Sequence, residues 1–142
     1  MKTSILQARF AVQKSHPTSM GRGLFATAWI HEGDFVLEYT GKKIPTKRAN
    51  RMSTRYLFEI DRTWTVDGSR RSNIARYINH SCIPNCEASI RKGKIVVYAV
   101  RDIARGEELT INYGEEYFDE FIKPVGCACV GCRNHGLENH AR

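Results

Sequence analysis

Apolar residues along this chain come in short runs, and polar or glycine-containing turns separate the runs. Runs rich in β-branched and aromatic residues are typical of β-strands when turn residues bound them. The pattern predicts seven strands, at residues 9–13, 24–28, 35–39, 56–60, 88–90, 94–100 and 109–111. Turn signals such as Glu32-Gly33-Asp34 and Lys92-Gly93 lie between these runs. We therefore expect a mostly β architecture with many short strands and tight turns.

Helical signals are few. A helix is predicted over residues 46–52, after Pro45, and a short helical stretch around residues 74–77. Residues 115–122 begin with acidic side chains, which suit the positive end of a helix dipole, so a third helix is predicted there. The last segment, residues 127–142, has little apolar content beyond its cysteines, and we expect a bound metal to order it.

Length and composition indicate a single domain. The chain has 142 residues, 42% of them hydrophobic, which is enough for one core but not for two independent ones. No apolar run reaches the length of about 18 residues that a membrane-spanning helix needs, and residues 1–10 lack the apolar region of a secretory signal. We expect a soluble protein with no Sec-type signal peptide and no membrane partner.

The formal net charge is +7, and much of it lies in one stretch, residues 42–55, and in Arg70, Arg71 and Arg76. A positive balance of this size favours acidic partners, such as nucleic acid or the acidic surface of a nucleosome. A solvated positive face that keeps the protein soluble explains the same charge equally well. Net charge alone therefore names no partner.

Five cysteines are present, and their spacing indicates metal binding. Three of them form a C-x-C-x-x-C cluster at Cys127, Cys129 and Cys132, while Cys82 and Cys86 lie in the middle of the chain. The odd number, the tight cluster and the lack of a signal peptide favour reduced thiols and a metal over a disulfide framework.

Four segments carry a recognisable chemistry. They are Gly-Arg-Gly-Leu-Phe-Ala at 21–26, Arg-Tyr-Ile-Asn-His-Ser-Cys-Ile-Pro-Asn-Cys at 76–86, Gly-Glu-Glu-Leu-Thr-Ile-Asn-Tyr-Gly at 106–114, and the cysteine cluster. In this order, and with Leu-Glu-Tyr-Thr-Gly at 37–41 and Tyr-Leu-Phe-Glu-Ile-Asp at 56–61, they resemble the SET-domain protein lysine methyltransferases with a post-SET zinc segment. The N-H-S-C-x-P-N-C string followed by G-E-E-L-T-x-x-Y is specific, whereas G-x-G alone would be weak.

The resemblance extends over residues 10–133 and implies a fold and a domain division. The fold would be a SET domain of several small, short-stranded sheets with a pseudoknot, few short helices and a zinc-bound C-terminal segment. Residues 1–122 would form the SET domain, and residues 123–142 the post-SET cysteine-rich segment. In the pseudoknot, the chain that carries Tyr113 would thread the loop that carries Asn79 and His80.

The resemblance also implies S-adenosylmethionine (SAM) as the methyl donor. Gly21 and Gly23 flank an arginine in a turn before a strand, where the missing Cβ atoms let the backbone approach a ligand. Without the resemblance, an ordinary turn would explain Gly21 and Gly23. Asn79 would then be a turn residue and His80 a hydrogen-bonded core histidine. With it, the expected cofactor contacts are Arg22, Gly23, Leu24, Arg76, Asn79, His80 and Tyr113.

Three tyrosines match aromatic positions around the family's lysine channel, and we assign them the catalytic roles. The Tyr113 hydroxyl would lie near the transferred methyl group and the lysine nitrogen, and Tyr56 and Tyr39 would line the channel. An arbitrary tyrosine in a small β domain usually serves core packing. At Ile111 the family often has an aromatic residue that limits the number of methyl groups, so this sequence leaves mono-, di- and trimethylation open.

The resemblance implies a structural zinc ion bound by four cysteines, Cys82, Cys127, Cys129 and Cys132. Only two residues separate Cys129 from Cys132, fewer than is common in the family. The shorter spacing leaves Cys86 or His135 as an alternative fourth ligand. A catalytic metal is not expected, because a closed four-ligand site has no position for substrate.

The sequence as a whole indicates a SAM-dependent protein-lysine N-methyltransferase that acts on a histone or another basic protein. One alternative is a catalytically weak SET-like module that binds SAM or peptide, and another is a small basic zinc protein that binds nucleic acid. The lack of a cysteine-rich pre-SET region suggests a minimal, bacterial-like form. We expect a cytoplasmic location, or a nuclear or chromosomal one if chromatin is the substrate.

Overall fold

The computed structural model describes residues 10–14 and 22–114 of the chain. The described elements are, in order, β1 (Phe10–Lys14), β2 (Arg22–Ala26), β3 (Phe35–Tyr39), β4 (Lys42–Pro45), α1 (Thr46–Ala49), β5 (Leu57–Glu59), β6 (Trp64–Asp67), a 3₁₀ helix (Ile74–Tyr77), β7 (Asn79–His80), β8 (Cys86–Arg91), β9 (Lys94–Ala99) and β10 (Thr110–Ile111). Short strands dominate, so the prediction of a mostly β fold is confirmed.

These strands form four small sheets. β1 pairs with β2, β9 lies between β3 and β8, and β6 lies between β4 and β5, all antiparallel. β7 and β10 pair in parallel, with Asn79 opposite Thr110 and His80 opposite Ile111. The parallel pair brings together two motifs that are far apart in the sequence.

The main core lies between the β3-β9-β8 sheet and the segments around it. Alternate residues of β9, Ile95, Val97 and Ala99, are buried, as expected for a strand with one face on a core. Leu24 and Leu109 are fully buried beside them, and the Leu109 amide donates to the Leu24 carbonyl. This contact ties strand β2 to the segment that leads into β10.

Some elements differ from the prediction. β4 and β6 were not predicted. β4 lies inside the basic stretch, and only one of its residues, Ile44, has a buried side chain. The helix after Pro45 spans Thr46–Ala49 rather than 46–52. Residues 79–80 form strand β7 rather than a turn. This strand was not predicted, because its partner β10 lies far away in the sequence. The strand predicted at 24–28 begins two residues earlier, and the one at 88–90 is longer at both ends.

The helix predicted over 115–122 and the cysteine cluster lie outside the described residues. Within residues 10–14 and 22–114, no helix has the length and apolar character to cross a membrane.

Candidate active site

The candidate site is built where the chain around β7 meets the chain around β10. The Ser81 amide donates to the Ile111 carbonyl over 2.9 Å, which continues the parallel pairing beyond the two strands. As a result His80 lies beside Tyr113, although 33 positions separate them in the sequence. Two of the predicted site residues are thus brought together by backbone pairing.

Asn79 joins β7 to β2 and to the acidic pair that precedes β10. Its Nδ2 donates to the Arg22 carbonyl over 2.9 Å and to Oε2 of Glu108 over 2.8 Å. A Cβ atom at Gly23 would lie 2.4 Å from the same carboxylate oxygen, so glycine is required for this close approach. Three predicted cofactor residues, Arg22, Gly23 and Asn79, therefore lie around one carboxylate.

Leu24 differs from its neighbours on β2. Its side chain is fully buried in the core, and its carbonyl accepts the hydrogen bond from Leu109. In the structure, Leu24 therefore anchors the strand that carries Arg22 and Gly23.

His80 lies between Tyr113 and Cys82. The Tyr113 amide donates to His80 Nδ1 over 3.1 Å, and the two rings are 5.4 Å apart between centroids. Burial lowers the pKa of His80 to about 4. A neutral ring agrees with the hydrogen bond, because a nitrogen that accepts an N–H carries no proton of its own.

The Tyr113 hydroxyl donates to the carbonyl of Ile78, the residue before β7. This bond uses the only hydrogen of the hydroxyl, so toward any other group the Tyr113 oxygen acts only as an acceptor. Both the backbone amide and the side chain of Tyr113 are thus held by the segment that carries Asn79 and His80.

Tyr39 and Tyr56 contact each other directly. The Tyr39 hydroxyl donates to the Tyr56 carbonyl over 2.8 Å, and the Tyr39 ring packs 5.3 Å from that of Phe58. A Cβ atom at Gly68 would lie 2.4 Å from the Tyr39 ring, so the chain after β6 approaches this ring closely. The structure thus joins two of the three predicted catalytic tyrosines.

Arg76 lies with these aromatic residues. Its guanidinium carbon is 4.2 Å from the centre of the Tyr56 ring, within the range of a cation–π interaction, and 5.4 Å from that of Tyr77. Its Nη1 donates to the Ser69 carbonyl, and hydrogen bonding to Tyr56 raises the pKa of Arg76. Arg76 and Ile78 are two residues apart, so one short segment contacts both Tyr56 and Tyr113.

One residue that holds the site together was not singled out from the sequence. Asn85 is buried, its Oδ1 accepts from the Thr110 amide over 2.9 Å, and its Nδ2 donates to the Glu108 carbonyl over 2.8 Å and to Glu107 Oε2 over 3.1 Å. Asn85 thus connects the N-H-S-C-x-P-N-C loop to the G-E-E-L-T segment. The only signal was its place inside the motif.

The two cysteines of the described part differ in environment. Cys82 is exposed, and its Sγ lies 3.4 Å from His80 Nε2. Cys86 is fully buried, and this burial raises the pKa of its thiol to about 12. Cys127, Cys129, Cys132 and His135 lie outside the described residues, and within those residues no three metal-binding side chains cluster.

Ile111 lies on β10 opposite His80 and is buried at 7% exposure, so its aliphatic side chain packs with the core. The prediction that leaves mono-, di- and trimethylation open stays a prediction.

Comparison with known proteins agrees with this arrangement. The SET domain model matches residues 21–114. The chain is 43% identical over 128 residues to an H3 lysine-4 specific histone-lysine N-methyltransferase of Schizosaccharomyces pombe, covering 80% of this chain and 14% of that protein. It is 39% identical over 127 residues to the histone-lysine N-methyltransferase trithorax of Drosophila virilis, covering 81% of this chain and 3% of that protein.

Among solved structures, apo ctPRC2 with mutations in Ezh2 matches with a TM-score of 0.65 and 36% identity, over 74% of this chain and 15% of that chain. The chain therefore spans only a small part of the relatives that it matches.

Proposed function

Because this chain belongs to the SET-domain family, we propose that it transfers a methyl group to the side-chain amine of a lysine in a protein substrate. One observation carries the proposal: the strand pair β7–β10 places Asn79, His80 and Tyr113 together with the Arg22–Gly23 backbone. The relatives named above are histone-lysine methyltransferases. This chain corresponds to a small part of them, so its activity is inferred from the site.

We propose SAM as the methyl donor, and it supplies an electrophilic methyl group on a positively charged sulfonium. The fit rests on Gly23, Asn79 and Glu108. Both hydrogens of the Asn79 amide are used by Arg22 and Glu108, which leaves its Oδ1 oriented to accept from an ammonium group. The Glu108 carboxylate places a negative charge beside the Asn79 side chain, and a negative charge there suits a cationic ligand.

Tyr113, Tyr56 and Tyr39 then act on the lysine. Because the Tyr113 hydroxyl donates its hydrogen to Ile78, its oxygen accepts an N–H of the incoming amine and orients the nitrogen lone pair. The amine must be neutral to attack, although the ordinary pKa of lysine is about 10.4. Burial among aromatic rings and the positive charge of Arg76 beside Tyr56 both favour the neutral form.

We propose a structural zinc ion held by Cys82 with Cys127, Cys129 and Cys132. Four thiolates are a donor set that Zn²⁺ binds in closed tetrahedral sites. Of the two described cysteines, the exposed Cys82 suits this role better than Cys86, whose buried thiol resists loss of its proton. His135 remains the alternative fourth ligand.

A histone is the substrate that we propose first, because both relatives are named histone-lysine methyltransferases and one of them is named as H3 lysine-4 specific. Chromatin is then the place of action that we propose. Nucleic acid is the partner that we propose for the basic surface. Three lysines, Lys43, Lys92 and Lys94, border one cavity of about 360 Å³ between two sheets, and phosphate groups suit such a cavity.

The test is transfer of labelled methyl from SAM to a panel of histones and cell lysates. We expect labelled protein with the unchanged chain and a fall of about 10- to 100-fold in rate with Tyr113→Phe, because a hydrogen bond to the amine is lost. The matched control is Tyr98→Phe, a tyrosine on β9 that stacks with Arg91 away from the site. Equal rates for the two variants would contradict the role of Tyr113.

SAM binding without any labelled protein would favour the weak SET-like binding module instead. A folded, zinc-loaded sample that fails to bind SAM would overturn the proposal.

A further inference from the structure

Asn73 lies at the start of the 3₁₀ helix, and its side chain is buried at 1% exposure. Its Oδ1 accepts from the Thr40 amide over 3.0 Å, and its Nδ2 donates to the Gly68 carbonyl over 3.0 Å. Thr40 lies between β3 and β4, and Gly68 follows β6. One buried side chain therefore joins the backbone of two segments that lie apart in the sequence.

The two segments that Asn73 joins carry or contact two of the proposed catalytic tyrosines. Thr40 follows Tyr39 directly, so its bond to Asn73 fixes the backbone at the end of β3. The Gly68 amide donates to the Tyr56 carbonyl over 2.8 Å. The same carbonyl accepts from the Tyr39 hydroxyl over 2.8 Å. Both segments held by Asn73 are therefore bonded to Tyr56.

The packing around Gly68 is tight. A Cβ atom at Gly68 would lie 2.4 Å from the Tyr39 ring and 2.5 Å from Nδ2 of Asn73. The backbone of Gly68 is thus enclosed between the ring and the amide. Truncation of Asn73 opens a space beside this glycine and removes a hydrogen bond from its carbonyl, so the support behind the Tyr39 ring is lost.

The proposed SAM contacts are held by a different amide. The Asn79 side chain bonds to Arg22 and Glu108. The two backbone partners of the Asn73 side chain are not among these residues. The site thus has separate polar supports, one beside the tyrosines and one beside the position proposed for the methyl donor.

We propose that Asn73 is a positioning residue that sets the spacing of Tyr39 and Tyr56 for the substrate lysine. This inference rests on the proposed function, because it needs the role of both tyrosines in the lysine channel. Asn73 acts through the backbone of Thr40 and Gly68 rather than through contact with the reacting atoms. Its loss should therefore weaken binding of the protein substrate and spare the binding of SAM.

The test compares Asn73→Ala with Asn85→Ala in the full chain. Asn85 is also buried, and its amide also bonds to a backbone N–H and a backbone carbonyl, so both variants lose similar bonds. In Asn73→Ala, we expect KM for the labelled histone to rise about tenfold and the dissociation constant of SAM, measured by calorimetry, to stay within about twofold. In Asn85→Ala, we expect SAM binding to weaken, because Asn85 holds the backbone of Glu108.

A merely structural role of Asn73 predicts that the two variants, compared at equal folded fraction, change both constants alike. Asn50→Ala, an exposed change after α1, should leave both constants as they are in the unchanged chain. An unchanged KM in Asn73→Ala, or a loss of SAM affinity equal to that of Asn85→Ala, would overturn the inference.

A second measurement needs no variant, so it also decides the inference if Asn73→Ala does not fold. Hydrogen exchange in the unchanged chain should be slowed on the order of 100-fold, relative to an unfolded chain, at the amides of Thr40 and Gly68, because both donate to partners within the fold. Fast exchange at either amide would overturn the inference. Slow exchange in a chain that methylates no protein would contradict the proposed function and leave the placement of the two tyrosines by Asn73 supported.

Discussion

Two regions of the molecule are built by different means. Where the chain at 79–85 meets the chain at 107–113, the short backbone pair β7–β10 is joined by buried or half-buried polar side chains, and each of these bonds to specific partners far away in the sequence. The β4-β6-β5 sheet is held mainly by backbone pairing, with a buried hydroxyl contact between Thr46 of α1 and Thr65 of β6 beside it. We therefore expect substitutions to be poorly tolerated in the first region and well tolerated in the second.

The largest expected effect is the loss of Asn85. In Asn85→Ala the half-buried Thr110 amide and Glu108 carbonyl lose their buried partner, and each unsatisfied group costs about 1–3 kcal/mol. We expect the free energy of unfolding, measured by denaturant titration, to fall by about 3 kcal/mol. Asn50→Ala, an exposed change after α1, should cost less than about 0.5 kcal/mol. Similar losses for both would remove the contrast between the regions.

The next effect tests the close approach at Gly23. A Cβ in Gly23→Ala meets the end of the flexible Glu108 side chain, which moves away and breaks its bond to Asn79. We expect little change in stability and a loss of about tenfold in SAM affinity, measured by calorimetry, because about one hydrogen bond is lost. Gly33→Ala, which is strained by a φ of +87° and has open space around it, should lower stability and spare SAM binding.

A smaller effect concerns pH. Although burial by itself would raise the pKa of Glu107, hydrogen bonds from Arg101 and Asn85 outweigh it and lower that pKa. The stabilisation is therefore complete above the ordinary pKa of 4.5 and is lost as the pH falls through the lower value in the folded protein. We expect the free energy of unfolding, measured between about pH 6 and pH 3, to depend less on pH in Glu107→Gln than in the unchanged protein. An unchanged slope would show that the pairing is weak, and Glu59→Gln on β5 is the control.

The smallest effect on the fold is expected in the β4-β6-β5 sheet. Lys43→Gln removes one charge beside the basic cavity and should change stability by less than about 0.5 kcal/mol. The measurement is nucleic-acid binding at several salt concentrations. The slope of the logarithm of the binding constant against the logarithm of the salt concentration should fall in magnitude by about 1. A slope that stays the same would show that Lys43 contacts no phosphate. Lys47→Gln on α1 is the control, since Lys47 does not border the cavity.

The same contrast explains what the sequence could predict. Strand β3 was predicted with its observed ends, because Phe35–Tyr39 contains a local apolar run and has turns on both sides. β4, β6 and β7 were missed, because each is a short strand that forms by pairing with residues elsewhere in the chain. Local pattern predicts strands that have an apolar run and flanking turns, and it fails for short strands whose pairing partner supplies the order.

For the site, the motifs identified the residues but not their partners. Asn79, His80 and Tyr113 were named from the sequence, whereas the contacts of Asn79 with Glu108 and of Arg76 with Tyr56 depend on how the segments cross. Asn85 was missed as a connecting residue for the same reason. The distances between these motifs along the chain do not indicate which of their side chains meet after folding.

The parallel pair β7–β10 also determines when the site can form. His80 and Tyr113 are separated by 33 positions, so their contact requires the closure of a long loop for a pair of two-residue strands. Loop closure must be completed before such distant contacts repay its entropy, so they form late in folding. Capture of the methyl donor should therefore be among the last properties that a newly made chain acquires, and it can serve as a sensitive report that folding is complete.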